Sequence, residues 1–431
     1  MKKPIGLAVA ALCVFAATPA PGEDAAAPRV TLAEALRLAR AQNPDLLAAR
    51  ADLESARAQR ATAVALPNPA LAYATSKIAT DGSPANTTYG NAFYNRSYDT
   101  VVSASQLVEI GGKRKDRRVS ADEGIAGATA RLADTARLLE AAVVRAYTAA
   151  LVARASAAIA RETAASFGKT AGLATEREAA GEISTSEKTQ IEIAAGRFLA
   201  DAAQADLAYA NAARALAALL NLPSAAPAED LDAPGEITQP DSPATPNDDA
   251  FLARRPDLAS LEAAVRKAEA ELALQKAFRT PDPTLLAQYE RQPPDQRNTV
   301  GFGVSFPLPV FNLNGGGIHA SRVAVESARR DLARGRVRVR QDLAATRDAF
   351  ETAQLRALRL VNDLLPKAQT VRDTVRFAYE QGAASLLELL EAERNANDIR
   401  LAAISARGDL AAARADFRAA RPGTDTDTGR K

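Results

Sequence analysis

The sequence reads TVGFGVSFPL from Thr299 to Leu308, and every second residue in it is large and apolar. Side chains alternate between the two faces of a strand, so this pattern predicts a β-strand with one apolar face. The residues predicted to share that face are Val300, Phe302, Val304 and Phe306. A partner strand near 284–291 would complete a β-hairpin at about 284–308.

A second alternating stretch lies between residues 91 and 107. Tyr94, Tyr98 and Val102 would share its apolar face, and polar residues such as Ser103 would share the other. Residues 70–77 would supply the partner strand of a hairpin at about 70–108. Four strands in two hairpins are therefore predicted.

The apolar face of these strands suits contact with lipid. Apolar-out, polar-in strands of about ten residues with interfacial aromatics are typical of membrane β-barrels. Because four strands cannot close a barrel and open edges are not tolerated in lipid, a membrane role requires an oligomer. The alternative is two soluble hairpins packed on helices, and the pattern does not fix the number of subunits.

Helical patterns fill most of the remaining chain. The predicted runs are 31–66, 113–179, 184–221, 248–278, 318–379 and 385–420. Two of them exceed 60 residues and would extend about 90–100 Å at 1.5 Å per residue. The predicted fold class is mainly α with a small β part.

The chain repeats one plan in two halves. Asn43-Pro44-Asp45-Leu46 is echoed by Arg255-Pro256-Asp257-Leu258, and Gly181-Glu182-Ile183-Ser184 by Gly382-Ala383-Ala384-Ser385. The predicted divisions are a first repeat at 23–221, a linker rich in Pro and Asp at 222–248, a second repeat at 249–420 and a disordered tail at 421–431.

The first 22 residues have the pattern of an export signal. Two lysines precede an apolar run from Ile5 to Ala17, and small residues follow it at a cleavage site near Gly22. The run is too short to span a bilayer. The mature chain is expected to have no transmembrane helix.

Composition excludes several functional classes. The net charge is only +2, which argues against a nucleic-acid partner. One cysteine, Cys13, and one histidine, His319, leave no zinc, iron–sulfur or disulfide framework within a subunit. No cofactor and no resident metal site are predicted, and nothing places Ser, Asp or Lys as in an enzyme.

These features together resemble the TolC family of outer-membrane efflux proteins. The resemblance rests on Leu32-Ala33-Glu34-Ala35-Leu36, on Asn43-Pro44-Asp45-Leu46, on the Pro-x-Pro motifs at Pro67 and Pro281 that precede strands, and on the two Gly-x-x-Ser motifs. It implies a homotrimer with a twelve-stranded β-barrel in the outer membrane of a Gram-negative cell. A long α-helical barrel would form a tunnel through the periplasm.

The stretch from Pro307 to Ile318 resembles the strand-to-helix junction of the CzcC-like branch, which serves heavy-metal efflux pumps of the resistance-nodulation-division class. That branch usually reads Phe-Asn-Arg-Asn-Gln-Gly, whereas this chain has Leu313 for the Arg and Gly315 for the Gln.

The resemblance also implies a periplasmic tip at the turns after the two long helices. Adaptor hairpins would dock around six residues there: Glu178, Gly181, Ser184, Tyr379, Gly382 and Ser385. The alternative is that both glycines only end helices.

The family pattern further places an acidic ring near the tip at Asp373, flanked by Arg372 and Arg376. Three copies around one axis would favour cations. The alternative is a solvated face of ion pairs.

The resulting hypothesis is a passive exit duct of a tripartite pump, expelling heavy-metal cations. Its predicted partners are two further copies, a periplasmic adaptor, an inner-membrane transporter and outer-membrane lipid. The alternatives are the same duct for drugs or secreted polypeptides, and a soluble periplasmic coiled-coil scaffold.

Overall fold

The computed structural model describes residues 28–76, 99–229, 254–292 and 296–421. The predicted signal peptide, Tyr94, Tyr98, most of the predicted linker and residues 422–431 of the predicted tail lie outside these ranges. The helices are α1 (Leu32–Gln42), α2 (Pro44–Val64), α3 (Lys113–Ala179), α4 (Thr185–Leu219), α5 (Pro256–Ala277), α6 (Gly315–Leu358), α7 (Leu365–Glu380) and α8 (Leu386–Ala420). The strands are β1 (Arg29–Val30), β2 (Ala70–Ser76), β3 (Asp99–Leu107), β4 (Ala226–Pro227), β5 (Thr284–Gln292) and β6 (Gln296–Ser305).

The helix α3 runs unbroken for 67 residues and organises the helical part of the molecule. At 1.5 Å per residue it is about 100 Å long. The helix α2 contacts its first part, where the Arg60 guanidinium pairs with Asp122. The helix α4 contacts its last part, where Phe167 stacks on Phe198 with ring centroids 4.4 Å apart. Two shorter helices are thus laid along one long helix.

The second half has the same arrangement around α6 and α7. The helix α5 packs against α3 and α6, and α8 packs against α3, α6 and α7. Arg266 of α5 pairs with Glu123 at 2.8 Å, and Arg400 of α8 pairs with Glu162 at 3.1 Å. Each of these solvent-accessible ion pairs adds little to stability. The helices are therefore held together mainly by the close packing of small residues.

The predicted single helix at 31–66 is wrong in one respect, because the chain breaks at Asn43. Its backbone is extended there, and its side-chain oxygen accepts from the amides of Asp45 and Leu46. Pro44 disfavours helical geometry in the residue before it and fits the first position of a new helix. Asn43 therefore ends α1 and caps α2.

The predicted continuous helix at 318–379 is interrupted as well. A π-helix, Arg359–Leu364, separates α6 from α7, and Pro366 lies at the start of α7. Because proline has no backbone N–H, the chain at Pro366 cannot make the regular helical hydrogen bond. The long helices of the two halves therefore differ: one is unbroken and the other is divided.

The largest buried cluster lies midway along α3. Leu139, Val143 and Tyr147 of α3 pack there against residues of α1 and α4. The Tyr147 hydroxyl donates to the Val30 carbonyl at 3.0 Å, and burial raises the pKa of that hydroxyl. By length and composition α3 could cross a membrane, with 39% of its most apolar window buried. No transmembrane helix was expected in the mature chain, and part of the apolar surface of α3 is buried in this cluster.

The start of the predicted linker is ordered rather than irregular. Ala226 and Pro227 form β4, which pairs in parallel with β1. Arg154 of α3 donates to the Pro227 carbonyl at 2.7 Å. The chain after α4 is therefore held against the middle of α3.

The remaining strands form one antiparallel sheet in the order β2-β3-β5-β6. Each hairpin pairs within itself, and β3 pairs with β5 to join the two halves. The strands β2 and β6 are the two edges. Leu107 and Lys113 are close in sequence, so the sheet lies at the first end of α3, away from Ala179.

Candidate functional site

The apolar residues of the sheet line up in rows on one face. Tyr73, Val102, Tyr289 and Val300 are paired across the four strands in one row. The next row is Leu71, Ala104, Ala287 and Phe302, and Leu285 and Val304 form a third. All the large side chains among them are exposed, and Phe302 is 85% exposed.

Of the residues predicted to face lipid, the structure brings Val102, Val300, Phe302 and Val304 to this face. Phe306 is also exposed but follows the end of β6. Tyr94 and Tyr98 are outside the described residues.

The other face of the sheet carries mostly small and polar residues, with Val101 and Leu286 as its larger apolar members. Ser103, Gln288 and Gly301 are paired across three strands there. A Cβ at Gly301 would lie 3.1 Å from Cγ of Gln288, so glycine leaves room for the amide side chain across the strand. The sheet therefore has one apolar face and one polar face, as the alternation predicted.

A buried ion pair fixes the sheet to the helices. The Lys113 ammonium lies 2.7 Å from Asp282 and donates to the Thr280 carbonyl at 2.6 Å. Asp282 also accepts from the Ile110 amide at 2.9 Å. Lys113 is only 2% exposed, and these contacts join the start of α3 to the segment that enters β5. Sequence reasoning missed this pair, because the two residues are distant in sequence and a run of basic residues usually indicates a solvated helix start.

The turns at the far ends of the long helices are alike. Gly181 and Gly382 have φ of 76° and 74°, which favours glycine. The Glu182 amide donates to the Arg177 carbonyl at 2.9 Å, and the Ala383 amide donates to the Ala378 carbonyl at 2.8 Å. These bonds satisfy carbonyls that a helix leaves free at its end.

A serine then begins the next helix in each turn. Ser184 accepts from the Glu187 amide at 3.1 Å. Ser385 accepts from the Glu388 amide at 3.3 Å, and the Glu388 carboxylate accepts from the Ser385 amide at 2.7 Å. The amide and the hydroxyl of Ser385 both donate to the Glu388 carboxylate, and these two bonds lower the pKa of Glu388. Each turn is thus a compact Gly-x-x-Ser unit.

Two further residues of the predicted tip, Glu178 and Tyr379, lie beside these turns. Glu178 accepts from Thr185 and from Lys188, each at 3.0 Å, and these bonds lower the pKa of its carboxyl group. Tyr379 packs on the cluster of Ala174, Ile191 and Leu386, which joins the two turns. The structure therefore brings the six predicted tip residues to one end of the molecule.

The predicted acidic position lies in α7, about two and a half turns before Gly382. Asp373 has a side chain that is 61% exposed, and it accepts from Arg372 at 2.7 Å. Arg376 does not pair with Asp373 but donates to Glu393 of α8, with Nε 3.0 Å from Oε1. The Glu393 side chain is only 7% exposed. Sequence reasoning missed Glu393, because only the turn at Gly382 places it beside Arg376.

The carboxylates of the described residues are dispersed along the helices. Among the described residues, no group of three or more His, Cys, Asp or Glu side chains is arranged to hold a metal ion. Within one chain the site consists of surfaces: a two-faced sheet at one end and paired turns at the other.

Comparison with known proteins identifies the family. A family model described as outer membrane efflux protein matches residues 35–222 and 249–421. The chain belongs to this family. The two matched parts cover most of the chain and leave out residues 223–248.

This outer membrane efflux protein is similar to known relatives over nearly its full length. It is 26% identical over 409 residues to the cobalt-zinc-cadmium resistance protein CzcC of Cupriavidus metallidurans, covering 92% of this chain and 93% of the relative.

Solved structures confirm the fold class. A structure of CusC matches with a TM-score of 0.76 at 18% identity, covering 92% of this chain and 93% of that one. The CmeC outer membrane channel of Campylobacter jejuni matches with a TM-score of 0.76 at 17% identity, covering 91% and 85%. The open-state MtrE outer membrane channel of Neisseria gonorrhoeae matches with a TM-score of 0.73 at 21% identity, covering 91% and 89%. The outer membrane efflux protein thus has the fold of outer-membrane channels, with a helical part and a contribution to a β-barrel.

Proposed function

We propose that three copies of the chain form a passive exit duct through the outer membrane of a Gram-negative cell, with the helices forming a tunnel in the periplasm. The observation that carries this proposal is the four-stranded sheet, which has an exposed apolar face, a polar face and two edge strands. A sheet of this kind is stable in lipid only when its edges are paired. Three copies would supply twelve strands, enough to close a barrel.

The duct would conduct heavy-metal cations expelled by an inner-membrane transporter of the resistance-nodulation-division class. Similarity to the cobalt-zinc-cadmium resistance protein over 92% of the chain supports this substrate class. The described residues include no metal-binding cluster, so the ions would pass as hydrated cations rather than bind. The protein would be no enzyme, and energy and most selectivity would come from the transporter.

The tip turns would receive a periplasmic adaptor, and α7 would form the gate. Glu178, Gly181 and Ser184 would make one docking position, and Tyr379, Gly382 and Ser385 the equivalent one in the second half. Their similar turn geometry supports docking of similar adaptor hairpins. Asp373 would line the constriction with its charge moderated by Arg372, while the pair of Arg376 and Glu393 would hold α7 to α8.

Planar-bilayer recording on the purified mature protein tests the duct. We expect discrete single-channel conductance. A mass measurement on the protein in detergent should give three times the mass of one chain. Monomers in detergent-free extracts, with no conductance, would indicate a soluble scaffold instead.

Complementation in cells that lack the native duct tests the substrate. We expect the chain, expressed with its transporter and adaptor, to restore growth on cobalt, zinc or cadmium and not on drugs. Restored drug tolerance without metal tolerance would assign the duct to the alternative substrate class. The wild-type chain expressed without the transporter is the matched control, and it should restore neither.

A further inference from the structure

The segment after β6 is a second exposed apolar surface. Phe306, Leu308, Val310 and Phe311 are all large and exposed, and Phe311 is 102% exposed. From residue 298 to residue 321 the sequence contains no Lys, Arg, Asp or Glu. We propose that Phe306–Leu313 lies in the periplasmic leaflet of the outer membrane and contacts phospholipid, which anchors the duct where its barrel meets its tunnel. The inference rests on the proposed position of the sheet in the membrane.

The apolar face of the described sheet is shorter than a membrane is thick. A membrane barrel presents an apolar band about 25 Å tall, and a strand tilted by about 45° rises about 2.3 Å per residue along the membrane normal. Along β6, the first and the third apolar rows are four residues apart, at Val300 and Val304. They therefore account for only about 10 Å of that band. Among the described residues, the next row beyond Val300 includes Thr100 and Arg291 and is polar. The predicted continuation of the face at Tyr94 and Tyr98 lies outside the described residues.

Further apolar height is available on the side where β6 ends. About six or seven further residues in extended conformation would span the rest of the band. Residues 306–309 continue beyond β6, and the chain then bends at Val310 and Phe311. Phe306, Leu308 and Val310 continue the same alternation as Val300 and Val304. The segment thus follows β6 directly, and its apolar residues keep the alternation of the face that the duct exposes to lipid.

The backbone of the segment suits the membrane interface. Unpaired N–H groups are costly near lipid, and Pro307 and Pro309 have none. The Val310 amide donates to the Leu308 carbonyl at 2.9 Å. At the end of the segment the exposed Arg279 donates to the Leu313 carbonyl at 3.3 Å, which places a cation where phospholipid headgroups would lie.

The corresponding link in the first half of the chain is shorter and carries a charge. The link between β3 and α3 is only residues 108–112, and it contains Glu109, which pairs with Arg117. Val108 and Ile110 of this link are exposed as well, but Glu109 lies between them, whereas the longer link after β6 is uncharged and has more exposed large apolar residues. Anchoring would therefore occur three times per trimer, once for each copy of Phe306–Leu313.

Quenching by brominated lipid tests the inference. Cys13 belongs to the predicted signal peptide, so Phe311→Cys gives the mature chain a unique thiol for an NBD fluorophore. The control Leu199→Cys labels an exposed apolar residue of α4, on the helical part. In vesicles of phosphatidylcholine and phosphatidylglycerol with brominated chains, we expect NBD emission at position 311 to fall at least twofold. Emission at position 199 should change by less than a tenth.

Conductance of the same labelled proteins separates the inference from the proposed function. A conducting duct whose label at position 311 is quenched no more than at 199 overturns the inference alone. If that label is also shielded from aqueous iodide, a neighbouring copy covers the segment. A chain that neither inserts nor conducts overturns the proposed duct and the inference with it. Leu308→Cys provides a second position should the label at 311 disturb assembly.

Discussion

At the scale of single residues, Asp373 and its neighbour Arg372 decide the charge that α7 presents. Asp373 is exposed but paired with Arg372. Removing Asp373 makes the local charge more positive, and removing Arg372 makes it more negative. In a trimer, Asp373→Asn would remove three negative charges near one axis, and Arg372→Ala would leave three unpaired carboxylates. We expect the cation-to-anion permeability ratio to fall about twofold in the first variant and to rise in the second.

Reversal potentials in a salt gradient measure this ratio. Asp409→Asn is the matched control, because Asp409 also pairs with an arginine, Arg356 at 3.1 Å, but lies in the middle of α8. Equal ratios in wild type and both tip variants would place Asp373 outside the conduction path.

At the scale of elements, the turn between α3 and α4 should loosen in acid. Bonds from Lys188 and Thr185 lower the pKa of Glu178 below its ordinary value of 4.5. A carboxyl group whose pKa is lowered on folding stabilises the fold above its unfolded pKa and loses that contribution as pH falls through the lowered value. Amide protection factors for residues 181–188 should therefore drop below about pH 4.5.

Hydrogen exchange, corrected for intrinsic rates, measures this loss. Glu178→Gln should have low protection in this turn at every pH, whereas Glu176→Gln, an exposed change in the same helix, should behave as wild type. An acid-dependent loss that persists unchanged in Glu178→Gln would assign it to another group.

The elements also show what the sequence could predict. The bounds of α3 follow from Gly112 before it and Gly181 after it, and the alternation at Val300 gives the faces of the sheet directly. The break at Asn43 was predictable from its position before Pro44, an asparagine cap followed by proline. Pro366 likewise gave reason to expect an interruption before α7, but the π form of Arg359–Leu364 was not predictable, because that segment contains neither glycine nor proline.

In the candidate site, too, local features were predictable from the sequence and long-range contacts were not. Local motifs predicted the turns at Gly181 and Gly382, since a Gly-x-x-Ser motif contains both the helix end and the next cap. Long-range pairs such as Lys113 with Asp282 depend on how the two halves meet, and spacing within one half gives no sign of them.

At the scale of the whole molecule, one chain leaves its sheet incomplete. The edge strands β2 and β6 each pair on one side only, so about every other backbone N–H of each edge has no partner strand. In a closed twelve-stranded barrel, β6 of one copy would pair with β2 of the next, and every strand would become internal.

Hydrogen exchange on the assembled protein in detergent tests this closure. We expect β2 and β6 to be protected within about tenfold of β3 and β5, because ladder amides open only with the sheet. After dissociation to monomers, alternate amides of the edge strands should exchange much faster, while those of α3 change little because their bonds lie within the helix. Edge strands that exchange freely in the intact particle would mean that the copies associate through their helices and leave the sheets open.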